Sequence, residues 1–134
     1  MLGASGNADV VRRLFDALER GDAEAMLACF DIGAMFEPLS TPVAEREPSE
    51  ALGHTGLRRY LDELHGTWDE FSIAIGDIRE AGDHVAALGR IHAVAHAAGF
   101  DSDDPVGFVW RLRDERIVWG KTYRTHEQAL AALA

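Results

Sequence analysis

Cysteine and lysine are almost missing from this chain. Cys29 is the single cysteine, so no internal disulfide can form and a reducing compartment is the simpler expectation. Lys121 is the single lysine, and every other basic residue is an arginine. Positive charge is scarce altogether: 13 Lys and Arg stand against 23 Asp and Glu, for a formal net charge of −10. A surface of that sign lacks the basic patch that nucleic acid or an anionic membrane requires, and neither partner is expected. No stretch approaches 18 uninterrupted apolar residues, so no membrane span is expected either. The opening residues, MLGASGNADV, carry neither a basic n-region nor an apolar h-region, so no secretory leader is expected in them and the cytoplasm is the expected location. Internal repeats and low-complexity segments are also absent.

What remains is the composition of a soluble globular domain, 47% hydrophobic and 27% charged, and 134 residues suffice for one domain over 1–134 but not for two. The first part of the chain is helical in pattern. In NADVVRRLFDALERGD, Val10, Val11, Leu14, Phe15 and Leu18 recur at helical spacing, with Asn7 as the N-cap and Gly21 as the stop. Asp22 caps a short second helix whose inner residues are Met26, Leu27 and Phe30. AMFEPL reads as a brief strand, because Pro38 drives Glu37 toward extended backbone. Residues 38–53 hold three prolines and a charge cluster and read as an irregular loop. Thr55 caps a third helix with the inner stripe Leu57, Tyr60, Leu61 and Leu64, and Trp68 lies one turn further on.

The second part reads as sheet. FSIAIGDIRE ends in the turn signal AGD, and VGFVWRLRDERIVWGKTYR gives two strands joined at Asp114–Glu115. Between them, HVAALGRIHAVAHAAG holds six alanines, which favour helix by propensity. Its position between a turn and the loop GFDSDD outweighs that preference, and a strand over 84–97 is expected. EQALAALA closes the chain as a short helix. Helices first and antiparallel strands after define an α+β fold, with helices packed on one face of the sheet.

That assignment decides what His92 and His96 can do. On a helix, residues four apart lie about 6 Å from one another and could share a metal ion. On a strand they stand about 13 Å apart and cannot. Val85, Ala87, Gly89, Ile91, Ala93, Ala95 and Ala97 form a small, apolar face suited to packing against helices. His84, Ala86, Leu88, Arg90, His92, Val94 and His96 form the mixed, outward face. Neither a metal nor a cofactor is expected. DSDD at 101–104 has the acidic spacing of a calcium loop but lacks its central glycine and terminal glutamate, and it reads as a solvated turn. On the neighbouring strand Phe108, Trp110 and Leu112 share a face opposite the alanines. Large residues beside small ones imply a pocket or a close helix approach. For the last strand, composition does not decide between Trp119, Lys121 and Tyr123 and the set Val118, Gly120, Thr122 and Arg124.

Three stretches, VVRRLFDALERGDAEAMLACFDIGAMFEPL, GHTGLRRYL and FVWRLRDERIVWGKTYRTHEQAL, together resemble the SnoaL-like branch of the nuclear-transport-factor-2-like superfamily. Their recognisable pieces are the RGD between helices, the G-x-x-G-L opening the third helix and the W-x-L-R-D hairpin. The resemblance implies three N-terminal helices packed on a strongly curved antiparallel sheet, a cone-shaped α+β barrel with an internal apolar cavity, and often a dimer through the outer sheet face. Trp119, Tyr123, Leu88 and Val94 on the mixed sheet face fit a homodimer contact. The superfamily includes ketosteroid isomerase, limonene epoxide hydrolase and polyketide cyclases together with non-catalytic members, so fold alone does not give function.

Carried over position by position, no known catalytic set is intact. The isomerase's general base falls on Glu37, its tyrosine donor on Leu14 and its protonated aspartate on Phe108. The cyclases' aspartate also falls on Phe108. The epoxide hydrolase's arginine and aspartate fall on Gly89 and Ile91, or with a one-residue slip on Arg90 and His92, and its other carboxylate falls on Thr122. Glu37 is therefore the candidate catalytic residue, as general acid or base, with a strand-end ion pair as the plain alternative. Leu14, Tyr60, Leu64, Trp68, Phe108, Trp110, Thr122 and Arg124 are the candidate ligand-binding residues, the aromatic ones reading equally as ordinary core. Two functions stand: a domain binding a small apolar molecule, or an isomerase-, cyclase- or hydrolase-like enzyme working through Glu37. Glu115 departs from the family's hairpin, where a turn glycine is usual.

Overall fold

The structure is a computed structural model that describes residues 6–37 and 51–133, with side chains placed for all of these except residues 51, 52, 64, 65 and 67. Helix α1 spans Gly6–Arg20 and buries Val10, Val11, Leu14 and Ala17, the repeat that its sequence spacing dictates. It ends at the RGD of residues 20–22. Gly21 takes φ of 69°, its N–H donates to the Leu18 carbonyl at 3.1 Å, and the Asp22 N–H donates to the Ala17 carbonyl at 2.9 Å. Those two bonds are a Schellman motif. Asp22 then serves twice, because its carboxylate accepts from the Ala25 N–H at 3.1 Å and caps α2, Ala23–Ala28.

Strand β1, Phe30–Glu37, follows directly. Phe30 thus opens a strand instead of closing the second helix. The short β2, Ala51–Leu52, leads into α3, Gly53–Thr67, which begins two residues before the expected Thr55 cap. Of the loop expected over 38–53, residues 38–50 lie outside the described residues. The strands β3 (Glu70–Ala81), β4 (His84–Ala95), β5 (Phe100–Arg113) and β6 (Arg116–Tyr123) then form a meander, and α4, His126–Leu133, completes the chain. The alanine-rich segment is a strand, as its context demands.

The sheet order is β2-β1-β6-β5-β4-β3. An all-antiparallel sheet was expected, and the structure corrects this: β1 runs parallel to β6, with Phe30 opposite Ile117 and Phe36 opposite Gly120. The sheet is therefore mixed and open, a result local sequence pattern has no means of giving, because the pairing joins the two ends of the fold. A second correction concerns the helices. Helices α1, α2 and α3 cover one face, around Phe36, Val85, Ala87, Phe108, Trp110 and Leu112. Helix α4 covers the other, where Ala129 packs with Ala86, Leu88 and Val109, and Leu130 and Leu133 extend the contact. Gly107 allows this close approach, since a Cβ there would lie 2.6 Å from that of Ala129. His126 ties the helix down, with Nε2 2.9 Å from the Gly89 carbonyl oxygen.

The β5–β6 hairpin turns at Asp114 and Glu115, both left-handed, with φ of 53° and 62°. That is the φ pattern of a two-residue type I′ loop, which favours glycine second. A glutamate there carries a conformational cost of about 1–2 kcal/mol. Replacing Glu115 with glycine should stabilise the protein by about 1 kcal/mol, part of the gain being offset by the freer unfolded chain. Urea denaturation should show a higher midpoint at unchanged slope, and an unchanged or lower midpoint would contradict the strain.

Candidate functional site

Three helices over one sheet face leave an apolar pocket of about 70 Å³. Leu14, Phe15 and Leu18 reach it from α1, Met26 and Leu27 from α2, and Leu57, Tyr60 and Leu61 from α3. The sheet supplies Phe30, Phe36, Phe71, Ile73, Phe108 and Trp110. Burial sorts these residues into a floor and a mouth. Phe30, Phe36, Phe108 and Trp110 are at most 6% exposed and form the floor, whereas Phe15, Leu18, Tyr60, Leu61, Phe71 and Ile73 are half-buried and surround the opening between α1, α3 and β3. No ionisable acid, histidine, lysine or arginine lines it.

The floor is an aromatic stack centred on Trp110. Its ring stacks with Phe36 (5.4 Å between centroids, 16° between planes) and with Phe108 (5.6 Å, 9°). Phe15 and Phe30 approach it at steep angles, at 6.1 and 6.0 Å. The alternation of FVWRLR puts Phe108, Trp110 and Leu112 inside, as the sequence implies, and Gly120 on β6 makes room for the indole. A Cβ at Gly120 would fall 2.2 Å from Trp110 Cε3 and 2.3 Å from Cζ3. Among the described residues the Trp110 Nε1–H is buried with no hydrogen-bond partner. Such a donor carries an uncompensated desolvation cost of about 1–3 kcal/mol.

Of the residues singled out from sequence, Leu14, Tyr60, Phe108 and Trp110 line this pocket. Thr122 is buried beside Phe108 on the neighbouring strand but is not part of the lining. Trp68 lies elsewhere. It packs with Phe71, Phe100, Ala93 and Ala95 in a separate cluster past the end of α3. Arg124 is exposed just beyond β6, away from the pocket. Leu64 belongs to α3, its side chain outside those described.

Glu37 is the main correction. Phe36 points to the pocket, so the next side chain along the strand points to the opposite face. There Glu37 Oε2 lies 3.9 Å from Lys121 Nζ, and that ammonium sits 5.4 Å above the Tyr123 ring, which packs with the α4 cluster. The carboxylate and the apolar pocket are on different sides of the sheet. Phe15, Leu18, Met26, Leu27, Phe30, Phe36, Leu57, Leu61, Phe71 and Ile73 line the pocket without having been candidates. Most were legible as inward-facing residues, but nothing in the spacing separates a pocket wall from ordinary core.

The histidine pair is divided by the end of β4. His92 stays on the strand, with Nε2 3.5 Å from Glu70 Oε1 on the exposed side of the sheet. His96 has passed into a 3-10 turn, His96–Ala98, where its backbone N–H donates to Asp69 Oδ2 at 2.6 Å. Arg90 pairs with Asp103 at 3.0 Å, again with both side chains exposed. Pairs of this kind contribute little stability. Among the described residues no cluster of three or more metal-ligating side chains occurs. Cys29 is buried, its Sγ donating to the Ala25 carbonyl at 3.5 Å; burial pushes the thiol pKa up, with the Arg13 charge opposing that shift. Among the described residues no helix is long and apolar enough to cross a membrane.

The SnoaL-like domain family model matches residues 11–119, and the chain belongs to that family. Among solved structures it is similar to an NTF2-like protein of unknown function from Burkholderia pseudomallei K96243, with 19% identity, 97% of this chain and 98% of that chain covered, and a TM-score of 0.79. A protein described as a SnoaL-like polyketide cyclase, from Jannaschia sp. CCS1, gives 16% identity over 96% of this chain and 91% of that one, with a TM-score of 0.73. A protein of ketosteroid isomerase-like fold from Catenulispora acidiphila DSM 44928, in complex with trimethylamine, gives 16% identity over 92% and 91%, with a TM-score of 0.72. At these identities the likeness establishes the NTF2-like fold and no more. No curated protein sequence matches the chain.

Proposed function

We propose that this protein is a non-catalytic SnoaL-like domain that binds a small apolar molecule in the pocket between α1, α3 and the sheet. The observation that carries this reading is the lining itself: fourteen side chains of the described residues converge on the space, and none of them is a carboxylic acid, histidine, lysine or arginine. Such a surface favours an apolar guest through the hydrophobic effect, and apart from the Tyr60 hydroxyl it offers no group to accept or deliver a proton. The alternative, an isomerase-, cyclase- or hydrolase-like enzyme with Glu37 as acid or base, is not favoured, because Phe36 and not Glu37 turns toward the pocket. The reading includes the shape. Register shifts in β3 at Ile75/Asp77 and in the β5–β6 pair at Arg111/Leu112 support a sheet bent around the helices as an open cone. A reducing, cytoplasmic setting agrees with a lone buried cysteine.

A pocket of about 70 Å³ is roughly half the size of the engineered ~150 Å³ cavity that takes benzene, so the buried part of a ligand is about three to five heavy atoms. Methylenecyclobutane is a fitting probe. Its addition should shift the methyl NMR signals of Leu14, Leu57 and Ile73, and Leu61→Trp at the mouth should abolish the effect. No shift at the probe's solubility limit would refute the binding reading.

The proposal extends to a homodimer through the outer sheet face. Leu88 and Val94 take no part, since both are buried within one protomer at 5% exposure. The surface that remains is Trp119 and Tyr123, half-buried, with Met35, which is opposite Trp119 and 38% exposed, and Ile32, 77% exposed on the same strand. Sedimentation at micromolar concentration should give a dimer that Trp119→Glu dissociates; a monomeric wild type would rule this contact out.

A further inference from the structure

We infer that the ligand of this pocket carries one hydrogen-bond acceptor, a ketone, aldehyde or ether oxygen, which accepts from the Trp110 Nε1–H. The inference rests on the binding reading above and names the chemistry of that ligand. Two facts about Trp110 carry it. The residue is 3% exposed and lines the pocket floor, and its Nε1 is a buried donor with no partner among the described residues. Buried indole N–H groups ordinarily have a partner, and one that lacks it in a pocket wall marks where a guest is expected to supply it.

The orientation of the ring agrees. The Cε3–Cζ3 edge lies over Gly120 on β6. In an indole the nitrogen is on the opposite edge, so Nε1 faces away from β6. The rings of Phe36 and Phe108 stack against the indole and offer no oxygen. Nε1 is closed off from the open space, so a side chain of the wall must turn for a small oxygen to reach it. Phe15, at the mouth with its centroid 6.1 Å from that of Trp110, is the half-buried ring against the indole. A second acceptor would be left unpaired unless it reached the Tyr60 hydroxyl, because the rest of the lining is hydrocarbon and the Met26 thioether. The class is thus a compact hydrocarbon with a single carbonyl or ether oxygen, uncharged.

Cyclobutanone and methylenecyclobutane test this, since they differ only in replacing C=O by C=CH2. In the wild-type protein, with the indole N–H signals assigned, cyclobutanone should move the Trp110 Nε1 proton downfield while methylenecyclobutane leaves it in place. In Trp110→Phe the ketone should lose about fivefold more affinity than the alkene does, as the loss of one neutral hydrogen bond implies. The wild-type NMR measurement stands even if that variant folds poorly. Binding of both probes without a selective Trp110 shift would overturn the inference and keep the binding reading, the N–H then being held by the ring face of Phe15 or Phe30. Binding of neither would overturn both.

Discussion

Gly89→Ala should lower the unfolding free energy by about 3 kcal/mol, the upper range for overpacking a core position. The reason is backbone, not side chain. A Cβ at Gly89 would stand 2.0 Å from the Ala74 carbonyl oxygen and 2.9 Å from both the Ala74 carbonyl carbon and Ile75 Cα. None of these atoms can rotate away. The contact arises where β3 shifts register between Ile75 and Asp77: Ile75 stands opposite Gly89, and Gly76 is the extra, unpaired residue beside that pair. Relief requires the bulge to move, and Gly89 also presents the carbonyl that receives His126 of α4. The variant should therefore lose protection from hydrogen exchange in β3 and α4 together. Wild-type stability in urea, or loss confined to β3, would show that the bulge adapts freely.

Trp110→Ala should be costlier, at about 3–5 kcal/mol. That is a large part of the 5–15 kcal/mol typical of a whole domain. The indole touches Phe15, Phe30, Phe36 and Phe108, so its removal opens a void at the centre of the aromatic floor. Gly120 supplies the internal control. Gly120→Ala should destabilise the wild type, because its methyl would collide with the indole, and should be tolerated in the Trp110→Ala background, where the space is vacant. Additive losses in that double variant, measured by urea denaturation, would mean that Gly120 is required by something other than the tryptophan.

Local chemistry made much of the fold legible. Gly21 and Asp22 mark one helix end and the next helix start by side-chain and φ requirements confined to a few residues. The parity of FVWRLR places Trp110 inside without knowledge of any neighbour. Long-range pairing was not legible: nothing near Phe36 announces that its partner is Gly120 or that the two strands run the same way. The candidate site suffered from the same limit. In a strand, a shift of one residue exchanges the faces. β1 carries an irregularity between Phe30 and Met35, so the facing of Glu37 depended on a register that only the partner strand fixes. A family position carried onto Glu37 gave the right strand and the wrong side of the sheet. Trp68 failed differently, because helical spacing was extended past the end of α3 to a residue that packs with Phe100.

The parallel union of β1 with β6 also sets an order of events during synthesis. Residue 30 meets residue 117, so β1 has no partner on that edge until residue 117 has been made. The β3–β6 meander can form earlier through short turns, whereas closing so long a span costs chain entropy before any contact repays it. A nascent chain at the ribosome must keep Phe30, Ala34 and Phe36 soluble while it waits, and a stop even a few residues before Arg116 would leave that apolar edge to other chains.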